Sequence, residues 1–137
     1  MSQSALDSMA HELLTRGEGF TFIARGQSMW PHILDGDVIE LQPKLGQVRI
    51  GDVVFIPTGD FGVLHRVIAV AGDGKVLTRG DALREPDGWS MPEQITGVLK
   101  RVRRHGNAVN VPGGRTALHI ANVLGRLRRI VHRIRHR

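Results

Sequence analysis

The chain contains no cysteine and no tyrosine, and aromatic residues make up only 4% of it. Without thiols there is no disulfide and no thiolate metal site, although this absence fits either side of a membrane and leaves the redox compartment open. With so few rings, a core has to be assembled mainly from Val, Ile and Leu. No window approaches the roughly 20 uninterrupted apolar residues that a spanning helix needs. The first residues, Met1 to Ala10, hold Asp7 and several serines but no basic start followed by an apolar run. No secretory signal is therefore expected. The protein is expected to be made soluble and to stay cytoplasmic, on the side where it is synthesised.

Acidic residues are missing from one region in particular. Residues 115–137 carry seven Arg and no acid, whereas the remainder holds 12 basic and 13 acidic residues. The net charge of +6 therefore belongs to a tail, and the body is close to neutral. A domain that binds nucleic acid through its folded face should be basic there, so nucleic acid is not an expected partner.

Glycine, by contrast, is plentiful. The 137 residues fit one domain, and 17 Gly and 6 Pro punctuate short apolar runs rich in β-branched residues. The runs are Phe20 to Ala24, Asp37 to Leu41, Asp52 to Ile56, Val63 to Ala71, Lys75 to Thr78, Ile95 to Arg103 and Ala108 to Val111. Gly36-Asp37, Gly51-Asp52, Gly72-Asp73 and Gly80-Asp81 mark turns or strand entries between them. The spacing predicts a mainly β fold, a compact antiparallel or barrel-like domain over 20–111. A short helix over 3–16, with Ala5, Leu6, Met9, Leu13 and Leu14 at helical steps and Gly17 as its stop, leads in from 1–19. Asp81 to Met91 is polar and irregular and predicts a surface loop. Residues 112–137 read as a hinge, Pro112-Gly113-Gly114, followed by a basic amphipathic helix. Ala117, Ile120, Ala121, Leu124, Leu127, Val131 and Ile134 form its apolar stripe.

A serine nucleophile needs a neutral base within hydrogen-bond reach and donors aimed at the developing oxyanion. Ser28 stands in the run Arg25-Gly26-Gln27-Ser28-Met29-Trp30-Pro31, just after an expected strand. Gly26 admits close approach of a substrate backbone, and Pro31 fixes the exit of the turn. Taken alone, a serine in such a turn more often bonds its own backbone. A lone His65 is as readily a half-buried strand histidine bonded to a carbonyl. Asp81 could merely cap its turn, and Asp87 belong to a Pro86-Asp87-Gly88 turn.

The order of the motifs shifts that balance. Gly26-Gln27-Ser28-Met29-Trp30-Pro31 is followed by Gly36-Asp37, Gly51-Asp52-Val53-Val54, His65-Arg66-Val67-Ile68, Thr78-Arg79-Gly80-Asp81 and Gly97. This succession, spanning about residues 20 to 103, resembles the signal peptidase family, which is related in catalytic fold to the self-cleaving phage and SOS repressors. One branch of that family places a lysine before the Arg-Val pair. The branch of the endoplasmic reticulum and archaea places a histidine, and Leu64-His65-Arg66-Val67 is similar to the latter. The resemblance implies a serine endopeptidase with Ser28 as nucleophile and His65 as general base. One of Asp81 and Asp87 would orient His65. Asp87 is preferred for that role, with Asp81 as a structural partner.

The resemblance further implies that a peptide or precursor-protein substrate binds as an extended strand beside Phe20 to Arg25. Phe22, Ile23, Ala24, Arg25, Gly26 and Met29 are then the substrate-binding candidates, with Ile33 and Leu34 as further pocket residues. The Ser28 amide would be the main oxyanion donor. The lysine branch often adds a small hydroxyl two positions before the nucleophile, where this chain has Gly26. No cofactor and no metal are implied. His132 and His136 lie one helical turn apart but lack a third ligand.

The chain departs from the family in showing no membrane anchor. The 115–137 helix could substitute by peripheral contact with an anionic membrane at its inner face, or could pack on the body or on a second subunit. The oligomeric state is left open. Two alternatives stand beside the peptidase. One is a catalytically inert module that holds a peptide in the same groove. The other is a repressor-like autoprotease with a nucleic-acid-binding tail, against which residues 1–19 are too short for a DNA-binding domain.

Overall fold

The computed structural model describes residues 3–58, 61–114 and Asn122. It is mainly β, with 39% strand against 13% helix, and its antiparallel sheet curls into a half-barrel. The elements are α1 (Gln3–Thr15), β1 (Phe20–Ile23), β2 (Val38–Pro43), β3 (Val53–Thr58), β4 (Phe61–Val70), β5 (Val76–Arg79), β6 (Trp89–Ser90), a 3-10 turn (Pro92–Gln94), β7 (Gly97–Arg104) and β8 (Asn107–Val109). The sheet runs β1-β2-β7-β3-β4-β5-β6, and β8 adds to β7.

The strand β3 explains why this sheet needs two cores. Val53 and Phe55 belong to one buried cluster, with Ala24, Met29, Ile33, Ile39, Leu41 and Val102. Val54 and Ile56 belong to another, with Val67, Val76 and Ile95. Alternate residues of one strand face opposite sides, so a strand buried on both reads as an unbroken apolar run, here Val53-Val54-Phe55-Ile56. The strand β2, separated from β3 by β7, alternates instead: Ile39 and Leu41 are buried, while Glu40 turns to Arg101 and Arg103 across the sheet.

The helix α1 closes one end of the first cluster. Among its residues of described burial, Ala10 and Leu14 are buried, one turn apart, and a Leu14 methyl lies 2.8 Å from where a β-carbon on Gly97 would stand. Burying such a leucine contributes roughly 1.5–3 kcal/mol. The expected apolar face was drawn too wide, because Met9 is 39% exposed and Ala5 is exposed. The helix ends on paired bonds, Gly17 N–H to the Leu14 carbonyl at 3.1 Å and Glu18 N–H to the Leu13 carbonyl at 2.9 Å. This is a Schellman termination, with Gly17 at φ 87°.

The stretch Asp81 to Met91 differs from the expected surface loop at both ends. Asp81 and Ala82 are buried, and Trp89 and Ser90 pair with Leu77 and Val76 as a short edge strand. Past the strands, the Pro112 carbonyl accepts from Arg66 at 2.7 Å, and Gly114 lies against Gly51. The expected basic helix falls outside the described residues, apart from Asn122, whose side-chain oxygen accepts from Arg79. Among the described residues no helix is long and apolar enough to cross a membrane.

Candidate active site

Adjacent residues of β4 serve opposite faces of the sheet. His65 pairs with Val54 and Arg66 with Val53, so their side chains point to opposite sides. His65 shares its face with Val67, whose cross-strand partner on β5 is Thr78.

That shared face assembles a hydrogen-bond chain. His65 Nδ1 is 2.6 Å from Asp87 Oδ2, and His65 Nε2 is 3.1 Å from Ser28 Oγ. With Asp87 ionised, Nδ1 carries the proton and Nε2 is left as acceptor for the Ser28 hydroxyl. Thr78 fixes Asp87 twice: its Oγ1 donates to Oδ2 at 2.8 Å, and its carbonyl accepts from the Asp87 amide at 2.8 Å. The imidazole is 11% exposed and the carboxylate 28%, so the pair is shielded yet reachable.

Ser28 sits in a turn stapled on both sides. Gly26 N–H donates to Asp35 Oδ1 at 2.8 Å. His32 and Ile33 N–H donate to the Met29 carbonyl, each at 3.0 Å, and the Ser28 carbonyl accepts from Ala82 N–H at 3.0 Å. The Ser28 amide itself has no hydrogen-bond partner among the described residues, so it is available to an oxyanion. Beneath the turn runs Gly80. A β-carbon there would stand 2.5 Å from the Ser28 carbonyl oxygen and 3.0 Å from His65 Nε2.

Asp81 is not part of this chain. On the other face, its Oδ1 and Oδ2 accept from Arg66 Nε at 2.8 Å and Nη2 at 2.9 Å, and Oδ2 also accepts from His32 Nδ1 at 2.9 Å. Arg66 is fully buried and Asp81 2% exposed. Burial alone would push the Asp81 carboxyl up, but the hydrogen bonds from His32 and Arg66 prevail and hold it below its ordinary value.

A cleft of about 490 Å³ opens beside Ser28 and His65. Phe22, Ile23, Ala24, Arg25, Gly26 and Met29 all line it, as does Ile33, whereas Leu34 does not. Its opposite wall, Phe55 and Gly62 to Leu64, was not anticipated from the sequence. Two strand edges border it. Among the described residues, pairing of β4 with β5 starts only at Arg66, and β1 pairs only with β2. Ala24 directs both backbone groups to residues 36 and 37, so Ile23, alternating with it, turns its own towards the cleft.

Two partners of the candidate aspartates were given no role by the sequence: Thr78, which stands in a quoted motif, and His32, which lies outside the motifs. Thr78 alternates with Val76 on the buried side of β5, and a buried hydroxyl needs a partner, which is a usable hint. Among the described residues no group of three or more His, Asp or Glu is arranged to hold a metal ion. No model of a protein family matches the chain, and no curated protein matches it in sequence.

Proposed function

We propose that this protein is a serine endopeptidase of the signal-peptidase type, in its histidine-base branch, acting on signal-like or leader-like peptides. The observation that carries the proposal is the chain Ser28 Oγ to His65 Nε2, 3.1 Å, and His65 Nδ1 to Asp87 Oδ2, 2.6 Å, at the edge of a cleft. In the reaction, Ser28 Oγ attacks the scissile carbonyl carbon while His65 Nε2 takes the hydroxyl proton. Asp87 holds the Nδ1–H tautomer and stabilises the imidazolium. The Ser28 amide donates to the oxyanion. His65 then protonates the leaving amine, and water, activated by the same imidazole, releases the acyl group from Ser28.

The two strand edges support a substrate bound as an extended strand between β1 and β4, its backbone pairing with both. The half-open sheet would be completed by the peptide it cuts. The seven Arg of 115–137 support peripheral contact with anionic lipid at the inner membrane face.

The test is cleavage of a panel of signal-like and leader-like peptides, with and without anionic vesicles, together with labelling by a fluorophosphonate. Wild type is expected to cut and to label at Ser28, and folded Ser28→Ala and His65→Ala to do neither. Wild type that neither cuts nor labels would overturn the proposal in favour of a module that only holds peptide.

A further inference from the structure

The contact between His32 and Asp81 lies outside the catalytic chain, and nothing in the mechanism above uses it. His32 belongs to the turn that presents Ser28, four residues downstream, with its amide on the Met29 carbonyl. Its side chain is 10% exposed and bonds to one acceptor, Asp81 Oδ2, at 2.9 Å.

That acceptor is unusually well fixed. Arg66 holds both oxygens of Asp81, and Arg66 is itself held by the carbonyls of Gly51 at 2.8 Å and Pro112 at 2.7 Å. Arg66 is also the residue after His65, so the anchor is continuous with the strand that carries the base. The Asp81 amide reaches back to Met29 Sδ at 3.4 Å. Asp81 is thus the point where the nucleophile turn, through His32, meets the base strand, through Arg66.

We infer that His32 is a positioning residue for Ser28: its Nδ1–H bond to Asp81 sets the turn so that Ser28 Oγ stays within reach of His65 Nε2. This rests on the peptidase reading for its kinetic consequence, but not for the structural tie. The Oγ–Nε2 distance of 3.1 Å leaves little margin, since displacement by about 1 Å costs on the order of a hundredfold in rate. Removing His32 leaves Asp81 paired with Arg66. No buried charge is then stranded, and the protein is expected to fold.

The experiment compares wild type, His32→Ala and His32→Asn, whose side-chain amide places a donor where Nδ1 stands. Peptide cleavage is expressed per site titrated with fluorophosphonate. His32→Ala is expected to lower kcat by about 10- to 100-fold with KM within about twofold, and His32→Asn to restore most of the loss. Equal kcat per site in wild type and His32→Ala, or an Asn variant as impaired as Ala, would overturn the inference. A second measurement needs no catalysis. Hydrogen exchange at the His32 and Ile33 amides is expected to quicken about tenfold in the Ala variant and not in the Asn variant. Unchanged exchange would overturn the inference even if wild type cuts nothing, whereas failure of wild type to label at Ser28 counts against the peptidase proposal alone.

Discussion

Gly80 lies so close to the Ser28 carbonyl that a β-carbon on it would stand 2.5 Å from the oxygen. Backbone meets backbone there, and neither side can yield cheaply. Gly80→Ala is expected to push the nucleophile turn off its strand and to cost at least about 100-fold in kcat. Far-ultraviolet circular dichroism should stay close to wild type. Peptide cleavage beside a thermal melt checks both parts.

A second prediction concerns the oxygen of Asp87 that accepts from both His65 and Thr78. Asp87→Asn puts an amide where a carboxylate held the Nδ1–H tautomer, and the expected loss is on the order of 10⁴-fold in kcat. Thr78→Val is nearly isosteric and removes one donor to that carboxylate, worth about 1.5–3 kcal/mol, or roughly a 10- to 150-fold loss. Steady-state kinetics on the two variants should therefore rank them far apart. Similar losses would show that Thr78 matters as much as the carboxylate.

Acid stability follows from Asp81 and Asp37. Asp37 is held below its ordinary value chiefly by its hydrogen bonds from Arg104, against a smaller opposing effect of burial. Asp81 is lowered because bonds from His32 and Arg66 outweigh its burial. A lowered carboxylate binds its proton more weakly folded than unfolded. The stability it contributes is complete above the ordinary value of 3.8 and is lost as pH falls through the folded-state value. Thermal melts from pH 7 to about 2.5 should show this loss, with a shallower acid limb in Asp81→Asn. At neutral pH, Asp81→Ala leaves Arg66 buried and unpaired, which costs about 3–5 kcal/mol.

Local pattern made much of this architecture legible. The apolar run Asp52 to Ile56 marked a strand, and β3 is that strand; its burial on both faces emerged only with the sheet around it. The helix was legible in place but not in orientation, because the face it buries is set by strands far along the chain, as where Leu14 meets Gly97. Trp89 and Ser90 were lost inside a polar stretch, since a two-residue edge strand has no period to detect. At the site, the chain order of the motifs singled out Ser28, His65 and the two aspartates. Separating the aspartates required their partners, Thr78 for Asp87 and Arg66 for Asp81. The bond from His32 to Asp81 spans 49 residues and leaves no trace in spacing or composition.

The clasp of Arg66 on the Pro112 carbonyl ties the segment after the described strands to the strand that carries His65. A fragment ending at Val111 would keep every described strand, yet it would take from Arg66 one of its two backbone acceptors and leave water in its place. Residues 112 to 114 therefore pack as part of the body that bears His65 and not as a loose end, with the Gly114 backbone lying against Gly51.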